Sequence, residues 1–451
     1  LYLREEKGRY VTHNLRTENI KVEVFDENNQ PVEVVTEVMS DTRIRITAPR
    51  AVRSATVHVT GTIEKGQSPF IFIAETAVRV IMGIRTMNLT YSKSGGTFLP
   101  GYMPGNGVFG MDNYNNHLAP GWEFLAGWQD ETYAERAFGY DLLTTDQNLN
   151  DPFRMNNTER FTARMNVEPF NGLKIDLTAN RTFASNLAEY YTPDVFGNLP
   201  ADTARGRTYS GNFSMSYISL GTSFEEINDK VESSKTFVKL KEDYRQIISQ
   251  RLAFDYMERT GRVLEDSAGY YEGFGPTSQD VLIPAFLAAY GNRDPNNVSM
   301  KAVRSILQVM PNWQVRFDGL GKIAALKEVV NSIVINHSYR STYSVGSFIN
   351  NPFYVMDTIN GVPVAKDLQG NFMVEHNINT VSINENFSPL FNLNMDWKNS
   401  LTTRIEYKRS RTVGMNMANT QVNEVNSEEF ILGAGYRFNA VALVINQREF
   451  N

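Results

Sequence analysis

Cysteine is absent from the 451 residues of this sequence. Its absence excludes disulfide bonds, thiolate nucleophiles and thiolate-ligated zinc. Long apolar runs are also missing, because none approaches the roughly 18 residues that mark a transmembrane helix, and the mean hydropathy is -0.35. Basic charge is not in excess, since the formal net charge is -6. Without a basic stripe, nucleic acid is not an expected partner.

Residue types that could carry out catalysis are few and lie scattered along the sequence. The five histidines never occur at HxH or HExxH spacing, and Glu375 beside His376 is only a weak metal signal. The acidic pairs at 225–226 and 428–429 are interpreted as solvated ends rather than hydrolytic dyads. A GxGxxG match at 105–110 lacks the strand before it and the helix after it that a dinucleotide site requires. We therefore expect no enzyme activity, no cofactor and no metal site.

What the sequence does contain is alternation of apolar and polar residues with a period of two. The clearest example is 391–407, interrupted by Asn399 and Ser400, which predicts a hairpin with one apolar and one charged face. Each arm approaches the roughly 9–11 residues of a tilted transmembrane strand. We expect the following residues on a lipid-facing wall: Phe391, Leu393, Met395, Leu401, Ile405 and Leu432. We expect the following residues on the lumen-facing wall: Asn392, Asn394, Asp396, Arg404 and Glu406.

Similar segments recur along the chain. Residues 161–179 alternate around Asn171-Gly172, a dipeptide that favours tight hairpin turns. Further strands are predicted near 213–217, 315–317, 333–339, 381–383 and 430–438. Residues 1–66 also alternate, which fits either a small soluble sheet or barrel strands. Before the strand that starts at 84, residues 74–83 have helix-compatible spacing.

Other segments do not alternate. Apolar residues at helical spacing predict a helical insertion over 223–260, and Ser278 or Asp280 can cap a short helix that ends at Gly291. Long irregular loops are predicted at 93–158 and 265–311, and loops of this length are usually functional.

Alternation alone fits two all-β architectures. In a β-sandwich the apolar face packs on a second sheet, whereas in a transmembrane antiparallel β-barrel it contacts lipid. Charge-free apolar arms with aromatic residues at their ends favour the barrel. The fold class we predict is therefore all-β, a transmembrane barrel with long loops and a few short helices. A soluble carbohydrate-binding sandwich remains the other architecture.

Four groups of residues give the sequence a family resemblance. They are LPGYMP at 99–104 with APGW at 119–122, the hairpin NVEPFNGLKIDLTANR at 166–181, GPTSQDVLIPAF at 275–286, and YRSTYSVGSF at 339–348. Together they resemble the SprA/Sov family, the outer-membrane translocon of the type IX secretion system of the Bacteroidetes, which also serves gliding motility. The resemblance covers about residues 84–438.

The resemblance implies a single-chain barrel of 36 strands. At roughly 20 residues per strand and connection, such a barrel needs over about 700 residues. We therefore expect residues 1–451 to be one segment of a much larger chain, and the first residue, a leucine without a signal peptide, agrees with this expectation.

The resemblance also implies the function, which is export of folded proteins with C-terminal signal domains from the periplasm to the cell surface. Implied partners are a porin-like outer-membrane barrel, a periplasmic plug protein, the secreted cargo and the lipid bilayer. The long loops are candidates for a cap, a seal or a partner contact, or they only brace the wall. Their candidate residues are Pro100, Gly101, Tyr102, Gly121, Trp122, Gly275, Pro276, Gln279, Asp280 and Pro284. An outer-membrane barrel for nutrient or lipopolysaccharide transport is the alternative function.

Overall fold

The computed structural model describes residues 1–15, 17, 19–61, 82–105, 107–199, 205–226, 234–438, 443–445 and 448–450. The chain divides into two compact units, residues 1–82 and 83–451. Most of the helix predicted at 74–83 lies outside the described residues, as does residue 106 of the GxGxxG match.

The N-terminal unit is a small β structure with its own core. Its strands are β1 (Arg9–Thr12), β2 (Ile20–Phe25), β3 (Val35–Ser40), β4 (Arg43–Thr47) and β5 (Thr56–Gly61), paired in the orders β1-β4-β3 and β2-β5. Leu3, Ile44 and Ile46 are fully buried between them. Strands of 4 to 6 residues are too short to cross a bilayer, which takes about 9–11 residues. The prediction of one barrel segment over 1–451 stays a prediction, and the short strands of this unit give it no support.

The second unit contains strands of very different length and short helices. Its strands are β6 (Ile84–Phe98), β7 (Asp112–Tyr114), β8 (His117–Ala119), β9 (Phe153–Phe170), β10 (Leu173–Glu189), β11 (Thr208–Ser216), β12 (Asp266–Ser267), β13 (Tyr270–Tyr271), β14 (Asn312–Phe317), β15 (Val330–Asn350), β16 (Met356–Asp357), β17 (Val362–Pro363), β18 (His376–Ile378), β19 (Thr380–Trp397), β20 (Leu401–Asn416), β21 (Gln421–Tyr436), β22 (Leu443–Ile445) and β23 (Arg448–Phe450). Its α-helices are α1 (Trp122–Leu125), α2 (Tyr133–Gly139), α3 (Lys235–Lys239), α4 (Arg245–Thr260), α5 (Gln279–Tyr290) and α6 (Ala324–Lys327). A π-helical turn, Leu240–Tyr244, joins α3 to α4, and 3₁₀ turns lie at Val108–Gly110, Leu220–Thr222, Ile306–Gln308 and Gly319–Lys322.

One large antiparallel sheet organises the second unit. Its strand order is β21-β20-β19-β15-β11-β10-β9-β6, with β14 between β10 and β15 and β18 beside β15. The long strands run for 15 to 21 residues. The predicted hairpins 161–179 and 391–407 are confirmed by the registers Ala163↔Ala179 and Leu393↔Ile405. Gly172, at φ 97°, makes the first tight turn, because a left-handed backbone favours glycine.

Over the described residues the sheet is open, because β6 and β21 each pair on one side only. A mostly β fold built on one large antiparallel sheet is confirmed, and closure into a barrel stays a prediction.

One strand position of the sheet is filled by two separate segments. β10 pairs with β11 over 181–188 and with β14 over 173–178, and both segments run antiparallel to it. The chain thus leaves the sheet after Ser216, forms an insertion over 217–311, and returns at Asn312. Side chains complete the ladder at the break: Asn180 N–H donates to Ser216 Oγ (3.0 Å) and Ser341 N–H donates to Asn312 Oδ1 (2.7 Å).

The insertion packs on one face of the sheet and makes the main core. Every residue of α5 from Val281 to Tyr290 is buried, in a cluster that includes Phe213, Tyr343, Val381 and Met415 of the sheet. A helix that is apolar on all sides is stable only in such a core. The predicted end of this helix at Gly291 is confirmed.

Several predicted boundaries need correction. The loop placed at 93–158 begins after Phe98 and ends before Phe153, because β6 and β9 are longer than the alternating segments suggested. The segments 223–260 and 265–311, predicted as separate, belong to the single insertion 217–311. Glu428 and Glu429 are not at an end but in the middle of β21, where they pair with Arg409 and Lys408.

Candidate functional site: a sheet with one apolar and one polar face

Cross-strand register assigns each side chain of the sheet to one of two faces, since directly paired residues lie on the same face. Leu393 pairs with Ile335 and Ile405, and Ile405 pairs with Leu432. We call this side the apolar face. The intervening positions, such as Asn392 paired with Glu406 and Asn394 paired with Arg404, form the polar face.

An uncharged section of the apolar face lies next to the tight turns, and we call it the apolar band. The band includes Met87, Leu89, Ala163, Met165, Ile175, Leu177, Val315, Ile333, Ile335, Leu393, Met395, Thr403, Ile405, Leu432 and Ala434. It is substantially uncovered at the sheet edges, where Leu89 is 60% and Leu432 is 69% exposed. Large exposed apolar patches mark contact with lipid or with another protein.

Aromatic side chains border the apolar band at both ends. On the border near the tight turns lie Phe170, Phe317, Trp397 and Tyr436. On the opposite border lie Tyr91, Phe161, Phe391, Tyr407 and Phe430. The two borders are six residues apart on β20, from Leu401 to Tyr407, or about 20 Å along the strand.

The predicted wall residues separate between the two faces. The lipid-facing candidates all lie on the apolar face: Phe391, Leu393, Met395, Leu401, Ile405 and Leu432. The lumen-facing candidates all lie on the polar face: Asn392, Asn394, Asp396, Arg404 and Glu406. What each face contacts stays a prediction at this point.

Beyond the apolar band, the apolar face carries charges, and all of them are paired. Glu159 contacts Lys93 (3.5 Å) and Arg181 (3.7 Å), and Arg411 contacts Glu424 (2.9 Å) and Glu385 (3.9 Å). Two further groups complete the ion pairs of this face in the described strands: Arg409 with Glu428, and Glu189 with Arg205 and Arg207. Buried charges need partners because their isolated ionised forms are costly.

A buried network fixes the start of the insertion to the sheet. Glu385, 2% exposed, accepts hydrogen bonds from Ser219 Oγ (2.8 Å) and Tyr339 Oη (2.6 Å). Arg411 Nη1 donates to Thr222 Oγ1 (2.9 Å). The network therefore joins the insertion to β15, β19 and β20.

The polar face is held by amide and ion-pair contacts. Asn392 Oδ1 accepts from Asn336 (2.9 Å) and Asn394 (2.6 Å), while Glu406 pairs with Arg404 and lies 3.9 Å from Lys408. An open depression of about 580 Å³ lies on this face, over β6 to β15. Its lining includes Arg164, Asp176, Asn180, Gln314 and Arg340, with no aromatic side chain.

The loop candidates near residue 100 pack at the far end of the apolar face. Pro100 is buried, and Gly101 O accepts from Thr144 N–H at 2.8 Å. Tyr102 packs against a core of α2, β9 and β10 that includes Phe153 and Leu187. Gly121 adopts φ 92° directly before Trp122, which is 61% exposed. Trp122 is thus available for a contact, whereas the other members of this group have structural roles.

The second loop group lies in the insertion on the apolar face. Gly275 N–H donates to Asn371 Oδ1 (3.0 Å), and the Gln279 amide bridges His376 O (2.9 Å) and Ile378 N–H (2.8 Å). Pro276 O accepts from Arg245 Nη1 (3.4 Å), and Pro284 is buried inside α5.

Asp280, in the first turn of α5, has an environment that disfavours its charge. Burial raises the pKa of the Asp280 carboxyl from 3.8 to about 6, because the ionised form loses its hydration. None of these second-group residues lines the depression on the polar face, so the geometry favours bracing or partner contact over a seal across it.

The histidines have structural partners. His337 Nε2 accepts from Trp313 Nε1 (3.1 Å), and His376 Nδ1 lies 3.8 Å from Glu375. In the described ranges no group of three or more His, Asp or Glu side chains could hold a metal ion. None of the helices in those ranges is long and apolar enough to cross a bilayer.

Sequence reasoning did not single out Arg164, Arg340, Glu385 or Arg411. The alternating pattern places Arg164 and Arg340 on the polar side of their strands. Only the strand register shows which distant residues surround them.

Comparison of the chain with protein-family models and with curated protein sequences finds no match.

Proposed function

We propose that residues 83–438 form part of the wall of a large outer-membrane β-barrel that conducts folded proteins from the periplasm to the cell surface. The observation that carries the proposal is the uncharged apolar band, bordered by aromatic residues on both sides and backed by a polar face. Outer-membrane barrels have an apolar band about 25 Å tall between two aromatic girdles. The spacing of about 20 Å between borders, extended by the rings themselves, suits an outer membrane, which is thinner than average.

The openness of the sheet supports a wide pore. Eight strands are enough to close a barrel whose interior is filled by side chains. Among the described residues the path from β6 to β21 contains eight strand positions, and its two edge strands do not pair with each other. A barrel that includes this sheet therefore needs more than eight strands, and passage of a folded protein requires such a wide barrel.

The polar face suits a wet passage. Its contacts involve mainly Asn, Ser and Thr with scattered ion pairs, and the depression has no aromatic side chain to retain an apolar surface.

The type IX assignment itself comes from the sequence resemblance, with a porin-like barrel and a periplasmic plug as partners and signal-bearing proteins as cargo. Exposed Trp122 is a candidate contact for such a partner.

The membrane assignment is tested with matched arginine substitutions on the two faces. Leu393→Arg and Ile405→Arg place a charge in the apolar band, at a cost of about 2–4 kcal/mol each near the midplane. Asn394→Arg is the control, because it lies next to Leu393 but on the polar face. We expect the two band variants to lose assembly into outer-membrane fractions while the control assembles. Equal tolerance of all three would contradict the orientation.

The transport assignment needs a second measurement. Depletion of the protein should stop secretion of proteins with C-terminal signal domains and leave nutrient uptake and lipopolysaccharide assembly intact. Continued secretion with loss of either of the other two would overturn the export function without affecting the membrane assignment.

A further inference from the structure

The polar face carries arginines that no acidic residue neutralises. Arg160, Arg164, Arg316 and Arg340 are exposed, and none forms an ion pair with a residue that the structure describes. No carboxylate lies directly opposite any of them. Arg164 lies between Asn88 and Thr178, and Arg340 pairs with Asn386. Arg316 lies between Asn336 and the basic Lys174.

The acidic residues of the same face are already engaged. Glu168 pairs with Arg85 and Lys174, Asp176 accepts from Asn166 (2.6 Å) and Asp396 accepts from Ser332 (2.6 Å). Glu406 and Glu429 pair with the remaining basic residues of β20. Asp176 and Asp396 keep their charge in these hydrogen bonds, and Asp176 lines the same depression as Arg164 and Arg340. The basic residues of the face still outnumber its acidic residues, although the whole chain has a formal net charge of -6.

The apolar face provides the internal comparison. There every charged side chain of the described strands has an ionic partner, whereas on the polar face four arginines have none. Uncompensated charge that lies on one face of a sheet attracts ligands of opposite sign.

The spacing of these arginines indicates the size of the ligand. Arg160 and Arg164 are four residues apart on β9, or about 13 Å. Arg164 and Arg340 both line the depression, but β10 and the β11/β14 position separate their strands, which gives about 14 Å at the usual strand spacing. These are distances between backbone positions. Separate carboxylates along a polypeptide can meet each arginine where its strand places it, whereas a single phosphate or small carboxylate would need the side chains to converge on it.

We propose that the arginine-bearing polar face is a docking surface for acidic polypeptide segments, with Arg164 and Arg340 at its centre. The proposal rests on the proposed function, because it names acidic protein surface as the cargo feature that the wall recognises. Guanidinium groups bind carboxylates by paired hydrogen bonds. Exposed contacts of this kind are individually weak, so a passenger held by several of them still dissociates.

The test measures binding of fluorescein-labelled poly-L-glutamate to the purified full-length protein in detergent, by anisotropy at low and high ionic strength. The double variant Arg164→Gln with Arg340→Gln should bind about fivefold more weakly than the wild type. The control pair Lys239→Gln with Lys301→Gln removes equal charge from exposed positions of the insertion and should leave the affinity unchanged. Binding by the wild type should weaken as salt rises.

Two results would overturn the docking surface. One is equal affinity of the arginine variant and the wild type. The other is complete displacement of the peptide by inorganic phosphate at an ionic strength at which chloride leaves the complex intact, which would assign the arginines to a small anion. Membrane fractionation of the same proteins separates failure of the docking surface from failure of the proposed function. A protein that is absent from the outer membrane contradicts the proposed function as a barrel wall. A variant that assembles and secretes cargo normally without binding poly-L-glutamate contradicts only the docking surface.

Discussion

The desolvated carboxyl of Asp280, a half-buried residue, makes the stability of the insertion depend on pH. Its pKa rises from 3.8 to about 6 in the folded protein, a change of about 2 units, or about 3 kcal/mol at 1.36 kcal/mol per unit. The expected cost of ionising Asp280 in the folded state, relative to the unfolded chain, is therefore about 3 kcal/mol.

The sign follows from proton binding. Between pH 3.8 and 6 the folded state holds the proton of Asp280 more tightly than the unfolded state, so protonation favours folding. The contribution is fully favourable below pH 3.8, declines as the pH rises through this window, and is constant above about 6. Asp280→Asn removes the titration, so the free energy of unfolding of the variant should match that of the wild type near pH 3.5 and exceed it by about 3 kcal/mol at pH 7.

Hydrogen exchange at the amides of α5 measures this difference as a local free energy of opening. Subtracting wild type from variant at each pH cancels the titration of other groups. Asp243→Asn, an exposed carboxyl of the same insertion, is the control and should give a flat difference. A flat difference for Asp280→Asn as well would show that burial does not control this carboxyl.

Two further predictions concern the sheet. Arg411→Ala leaves the buried Glu385 without its cation and should destabilise the detergent-solubilised protein by about 3–5 kcal/mol, measured by denaturant unfolding. The control is Arg259→Ala, whose ion pair with Asp255 is exposed on both sides and should cost at most about 1 kcal/mol. Similar losses in the two variants would place the network outside the stabilising core. Asn312→Ala removes the acceptor of the Ser341 amide at a cost of about 1–3 kcal/mol. Amide hydrogen exchange at Ser341 should therefore accelerate, while exchange at Leu393 stays slow. Unchanged exchange at Ser341 would show that water replaces the side chain.

Alternation predicted the strands well but could not assign what covers them. β19 carries four apolar residues at equivalent positions, Val381, Ile383, Leu393 and Met395. The first two are about 1% exposed in the core with α5, whereas the last two are half-buried in the apolar band. The period of two depends on backbone geometry alone. Which half of the strand meets the insertion depends on residues 217–311, which the local pattern does not include.

The interrupted strand was missed for a similar reason. The sequence predicted strands near Phe213 and Val315 separately, and both predictions are confirmed. That they occupy one strand position follows from pairing with the same partner, β10. Ser216 and Asn312 at the break have polar side chains that resemble ordinary turn residues in the sequence, and only their contacts across the ladder distinguish them.

The arrangement of the apolar face also orients the proposed wall. The tight turns at Asn171-Gly172 and at 398–400 lie beside the apolar band, and the insertion and the 99–152 loop lie beyond the paired charges. In outer-membrane barrels the short turns face the periplasm and the long loops face outward. On the proposed function, the paired charges therefore mark where the strands leave the membrane on the cell-surface side. A partner that binds Trp122 must then approach from that side, and a periplasmic plug must act at the tight-turn end of the polar face.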